Sequence, residues 1–141
     1  MGENYLEPSA ESAAALFSRQ LDGDVVMLNL LRFRNTADYS SCPVLAPENP
    51  ISGRAAYQKY IDHTLPLLQR SGGDLLFLGA GGNFFIGPQD ERWDLAMLVR
   101  QKSLQAFIAF ASDSEYLAGI GHRTAAVEDS RLLPLTPGFS P

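Results

Sequence analysis

Val25-Val26-Met27-Leu28-Asn29-Leu30-Leu31-Arg32-Phe33 is apolar on both of its alternating faces. Side chains of a strand point alternately to the two sides of a sheet, so a strand with water on one side alternates apolar with polar. Here Val25, Met27, Leu31 and Phe33 stand against Val26, Leu28 and Leu30. The run therefore predicts a strand covered on both faces. Trp93 to Val99 carries the same signature.

Working outward, Pro8-Ser9-Ala10-Glu11 opens a helix expected at about 9–21, which Gly23 ends. Asn35 to Pro50 supplies turn residues and no periodicity, a long loop that reads as a functional flap or a mobile insertion. Ser52 caps a helix to about Arg70, with an apolar stripe of Tyr57, Tyr60, Ile61, Thr64, Leu65 and Leu68 and a bend expected from Pro66 near Asp62. Gly72-Gly73 stops it. Leu75 to Leu78 begins a second strand, which Gly79, Gly81 and Gly82 interrupt before Phe84-Phe85-Ile86 resumes it. Gly87 to Asp90 turns the chain into the Trp93–Val99 strand. Ser103 and Asp113 cap two helices, the second carrying Leu117, Ile120, Thr124 and Val127 in line. A short strand around 130–135 and a Pro-Gly tail follow.

After the first helix the order is strand, helix, strand, strand, helix pair, strand. That is the split βαβ arrangement of a ferredoxin-like α+β fold. Right-handed crossovers place both helical segments on one face of a four-stranded antiparallel sheet. The other face then shows water more apolar surface than soluble monomers tolerate. A second copy packed sheet to sheet removes the difficulty, so a homodimer is expected, paired as a dimeric α/β barrel.

The totals agree with one domain spanning 1–141. At 141 residues, 45% hydrophobic and 19% charged, the chain is long enough for a real core. A net charge of −5, with Lys59 and Lys102 the only lysines, repels phosphate backbones and anionic lipid. Nucleic acid and membrane surfaces are not expected partners, and no apolar run approaches the roughly 20 residues of a membrane helix. The first residues carry acids where a signal peptide needs bases, and Gly2 lacks the small hydroxyl residue a myristoylation site requires further on. Cys42 is the only cysteine, which excludes an intrachain disulfide and fits a reducing, cytoplasmic setting.

The strand 25–33 resembles the first strand of the family called domain of unknown function 1330, within the dimeric α/β barrel superfamily. So do Tyr57-Gln58-Lys59-Tyr60, Gly72-Gly73, Trp93-Asp94 and the stretch from Ser112-Asp113-Ser114-Glu115-Tyr116 through His122-Arg123-Thr124 to Asp129-Ser130-Arg131-Leu132. The similarity covers most of 24–134. Arg100-Gln101-Lys102-Ser103 departs from the family's Tyr-Pro-Ser-like stretch, and Ser114 stands where Pro is usual. The resemblance implies the fold and the dimer. The superfamily includes cofactor-free monooxygenases, haem-degrading enzymes, lactone isomerases and non-catalytic stress proteins, so it implies no single activity.

For chemistry, Asn29 is the polar residue in an apolar strand. Burying an unpaired amide costs roughly 1–3 kcal/mol, so it either orients a ligand or satisfies the backbone of a neighbouring loop. Arg32, and Arg34 on the same face, could clamp a carboxylate or pair with acids at the sheet rim. Tyr57 and Trp93 suit core or a pocket wall. The tentative ligand-binding set is Asn29, Tyr57, Trp93 and Arg32. Alternation puts Asn29 and Arg32 on opposite faces, so Asn29 is favoured for the cavity and Arg32 is held loosely. His63, expected to face solvent, and His122 make no metal site, which needs three convergent ligands. Gly79-Ala80-Gly81-Gly82 lacks the third glycine and the helix of a dinucleotide loop. Neither cofactor nor metal is expected. The reading is a homodimer binding a small apolar or aromatic ligand between sheet and helices. Its enzymatic form is a cofactor-independent monooxygenase-like or isomerase-like activity on an aromatic or polyketide-like substrate. The alternative is a non-catalytic interaction or stress-related module.

Overall fold

The computed structural model describes residues 3–138. Gly2 and the end of the tail, from Phe139, lie outside them. Helix α1 (Ala10–Ser18) is followed by β1 (Val25–Phe33), a single 3-10 turn at Pro43–Leu45, α2 (Gly53–Arg70), β2 (Asp74–Asn83) and β3 (Arg92–Gln101). Then come α3 (Leu104–Ala111), α4 (Ser114–Ala118), α5 (Ile120–Ala126) and β4 (Val127–Leu135). The strands form one antiparallel sheet in the order β2-β3-β1-β4. This is the ferredoxin-like α+β arrangement, with the helices on one face.

The register assigns each side chain to a face. Asn29 stands opposite Met97 and Leu132, and Leu31 opposite Leu95 and Ser130, all on the helix side. Leu28 stands opposite Leu98 and Leu133, and Leu30 opposite Ala96 and Arg131, on the other side. The helix side holds the core: Leu31, Phe33, Tyr57, Leu95, Met97, Ala126 and Val127 pack into one cluster. Burying each large side chain there contributes about 1.5–3 kcal/mol.

Glycine is required where helices meet other parts closely. A Cβ at Gly53 would overlap the Arg34 carbonyl, so the first turn of α2 presses against the chain leaving β1. The Gly53 amide donates to that same carbonyl at 3.1 Å. A Cβ at Gly119 would overlap the His63 ring. The helix expected from Asp113 onward is divided at Gly119 into α4 and α5, and His63 Nε2 bonds the Glu115 carbonyl at 2.7 Å. His63, expected to face solvent, is partly exposed and also ties α4 to α2 through that bond.

Three other expectations change. Strand β2 runs unbroken through Gly79, Gly81 and Gly82 to Asn83, its irregularity lying earlier, between Leu75 and Phe77. Phe84-Phe85-Ile86 is hairpin tip, not strand, and Phe85 and Ile86 are almost fully exposed. Segment 35–50 is a packed connection. Its Ala37 amide donates to the Ile51 carbonyl and its Asp38 amide to the Ala125 carbonyl, each at 2.9 Å, and Tyr39 Oη meets His122 Nδ1 at 2.8 Å. These bonds anchor it to α5, with Ala37 and Tyr39 against the core.

Candidate functional site

A cavity of about 880 Å3 opens between the helix side of the sheet and the helices. Its floor is Met27, Asn29, Met97, Val99 and Gln101 of β1 and β3. Its roof is the α2 stripe from Tyr57 to Leu68, continued by Phe107, Phe110, Tyr116 and Ile120. The spacing of that stripe is helical, so one face of α2 supplies the whole series. The remaining wall is the segment from Tyr5 to Arg19, including α1, which leaves no side chain fully buried. No residue of the 35–50 segment lines the cavity, so it is no flap over this space; the N-terminal segment forms that wall.

That segment is fastened at both ends. The Tyr5 amide donates to Asp129 Oδ1 at 2.7 Å, and the Tyr5 carbonyl accepts from the Ser130 amide at 3.0 Å and hydroxyl at 2.6 Å. Arg123 donates to the Leu6 carbonyl at 3.3 Å, and Arg19 to the Pro134 carbonyl at 3.1 Å. Asp129 itself is held by Arg131 at 2.7 Å and Arg32 at 3.6 Å.

The cavity roof is aromatic. Tyr57, Tyr60, Tyr116 and Phe110 run ring to ring at centroid separations between 4.8 and 6.2 Å, and Phe33 of the core backs Tyr57 at 5.2 Å. Burial holds the Tyr57 and Tyr60 hydroxyls well above the ordinary phenol value, so they stay protonated. Tyr60 and Tyr116 bond each other through their hydroxyls at 2.9 Å. The Tyr57 hydroxyl has a weak sulfur partner, Met97 Sδ at 3.9 Å.

The structure separates the sequence candidates into two places. Asn29 and Tyr57 line the cavity. The Asn29 side-chain amide donates to the Met27 carbonyl two residues back, at 3.1 Å. Trp93 and Arg32 do not line it. Arg32 leaves the opposite face of β1 and ion-pairs with Glu128 at 2.8 Å. Trp93 is buried beneath guanidinium groups, Arg131 at 4.9 Å and Arg32 at 5.9 Å from its ring centre, and its indole N–H donates to Glu91. Arg131 also stands 4.8 Å from the Tyr5 ring, so this stack seals the start of the N-terminal segment. A smaller hollow of about 210 Å3 beside it is lined by Trp93, Leu30, Ala96, Phe84 and Phe85.

Sequence reasoning missed Gln101 and gave no role to Thr64. Both are buried in the cavity lining, and Gln101 Oε1 and Thr64 Oγ1 have no hydrogen-bond partner among the described residues. The signal for Gln101 was parity: it continues the series Trp93, Leu95, Met97, Val99 at every second residue. His63, His122 and Cys42 lie outside the lining. Among the described residues no group of three or more His, Cys, Asp or Glu could hold a metal ion, and no helix is long and apolar enough to cross a membrane.

No family model and no curated protein matches the chain. Solved structures do. The RPA0582 protein of Rhodopseudomonas palustris, described as of unknown function, is 33% identical with TM-score 0.82, covering 98% of this chain and 100% of that one. The methylated RPA0582 protein is 34% identical with TM-score 0.83, covering 96% of each. An uncharacterised NIPSNAP domain protein from Burkholderia xenovorans shares the fold at 13% identity and TM-score 0.50, covering 83% of this chain and 98% of that one. With a third of its residues identical over almost the full length of both chains, this protein belongs to the same family as the Rhodopseudomonas palustris protein RPA0582.

Proposed function

We propose that the protein is a homodimer that binds a small, largely apolar molecule, best an aromatic one, in the cavity between sheet and helices. The observation that carries this is the cavity itself. Its volume of about 880 Å3 falls in the range of ligand sites, and its lining is aromatic and aliphatic with a few polar groups. Asn29 and Tyr57 are the proposed contacts: both line the cavity, the Asn29 amide nitrogen is bonded to the Met27 carbonyl, and the Tyr57 hydroxyl has a weak sulfur partner.

The dimer is supported by the sheet's other face. Val26, Leu28, Leu30 and Leu98 are only half-buried there, Phe77 and Leu133 are more than half exposed, and the Phe84-Phe85-Ile86 tip stands free. This is the surface that a second copy packed sheet to sheet would cover. The resemblance to domain of unknown function 1330 belongs to the same reading, since that family's superfamily pairs in this way.

Binding is favoured over catalysis by the lining chemistry. Glu7 is the one carboxylate in it, no histidine enters it, and Tyr57 and Tyr60 are held protonated by burial. A cofactor-independent reaction would have to proceed with neutral donors, the Glu7 carboxylate and the guanidinium groups of Arg19, Arg123 and Arg131. The test is mass spectrometry of gently purified protein under non-denaturing conditions. The expected result is a dimer carrying a releasable small molecule, or a dimer that takes up added naphthalene. A protein that binds neither sinks the reading and leaves the interaction module.

A further inference from the structure

Gln101 and Thr64 come from different elements, β3 and α2, and both line the cavity. Thr64 lies one helical turn before Leu68, on the same face of α2. Leu68 packs where a Cβ on Gly73 would touch both it and the Arg100 carbonyl, immediately before Gln101. Of the three buried side-chain polar atoms without a partner among the described residues, these are two; the third, Arg34 Nε, is away from the cavity. Gln101 is 2% and Thr64 9% exposed, so a solvent-facing role explains neither. Native proteins satisfy nearly all buried polar groups, and the exceptions call for a reason.

Both groups are uncharged. The Gln101 carbonyl oxygen accepts, and the Thr64 hydroxyl donates and accepts. A hydroxyl is the simplest partner that answers both at once. The charged side chains of the lining, Glu7, Arg19, Arg123 and Arg131, belong to the N-terminal segment, α5 and β4, and not to the two elements that carry the orphan pair. Beyond that pair the cavity is roofed by the Tyr57–Tyr60–Tyr116 rings.

We infer that the ligand is a neutral hydroxylated molecule with a flat apolar body, its hydroxyl seated between Gln101 Oε1 and Thr64 Oγ1 and its body beneath the tyrosines. This rests on the cavity being a binding site, and it adds the chemical class of the ligand and the residues that select it.

The experiment titrates the full chain with three probes of nearly equal shape: 2-naphthol, 2-methoxynaphthalene and naphthalene, followed by probe fluorescence. The expected result is 2-naphthol binding about tenfold tighter than its methyl ether, since the ether cannot donate and leaves a buried acceptor unpaired. In Thr64→Val/Gln101→Met the alcohol and the ether should bind within about twofold of each other, naphthalene keeping its affinity, because only the two polar contacts are removed. If that double variant does not fold, Thr64→Val alone should still narrow the ratio. Equal binding of alcohol and ether by the unaltered protein overturns the inference while the apolar site stands. A preference for the alcohol that survives in the variants overturns the assignment to these residues. Failure of all three probes to bind overturns the site, and this inference with it.

Discussion

At the scale of single residues, the outcome at each position depends on what faces it across the fold. Asn29 illustrates this: its parity, legible in the sequence, directs it to the helix side, while its partner is a carbonyl of its own strand. Asn29→Ala should leave the fold intact and weaken 2-naphthol binding by roughly three- to tenfold, read by the same titration. Thr64→Val removes an unpartnered hydroxyl at constant shape, so the unliganded protein should melt about 2–4 °C higher in calorimetry. Gly119→Ala pushes a methyl group into the His63 ring and should cost about 1–3 kcal/mol in a denaturant titration. His122 carries a pH signal. Burial, with Lys59 and His63 nearby, holds its imidazole below its ordinary value near 6.5. The folded state therefore disfavours the protonated form relative to the unfolded chain. That contribution to stability is present above about pH 6.5 and is lost as pH falls through the lower folded value. Midpoints at pH 7.5 and 5.5 should differ less in His122→Gln than in the unaltered protein.

At the scale of elements, β1 and α2 fall where periodicity puts them, at Val25–Phe33 and Gly53–Arg70. Both are long and strongly patterned, so local signals and global packing agree. The errors sit where long-range contacts decide. The helix divides at Gly119, where His63 leaves no room for a Cβ, and the 35–50 segment is anchored because α5 offers it Ala125 and His122. The N-terminal segment was read simply as a helix, yet it walls the cavity with no side chain of α1 fully buried. Its hold is the backbone of Tyr5 on Asp129 and Ser130. Deleting residues up to Gln20 should leave the sheet folded by circular dichroism and speed 2-naphthol dissociation in stopped-flow, with the larger part of any affinity loss appearing in the off-rate.

At the scale of the whole molecule, the exposed side of the sheet is the main unbalanced surface. Leu28 and Leu30 sit at its centre, flanked by Leu98, Leu133 and Ala96. Light scattering at micromolar concentration should give a mass near twice the 15.4 kDa of the chain. Leu28→Glu should halve that mass, because a carboxylate without a partner in an apolar interface costs several kcal/mol. A mass near that of one chain for the unaltered protein would sink the dimer.

The sequence by itself determined the class of fold, the strand and helix order and the faces of β1 and β3, because these follow from side-chain period and from short-range turn and cap chemistry. It also placed Asn29 and Tyr57 on elements that face each other. Only the tertiary structure decided that Trp93 stands apart from them, in a stack with Arg131, Tyr5 and the Arg32 that alternation had already set on the opposite face from Asn29. Only it decided that Gln101 and Thr64 are the unpartnered pair. Whether a polar atom is satisfied depends on what residues far away in sequence bring within about 3 Å of it, and no period along one chain encodes that distance.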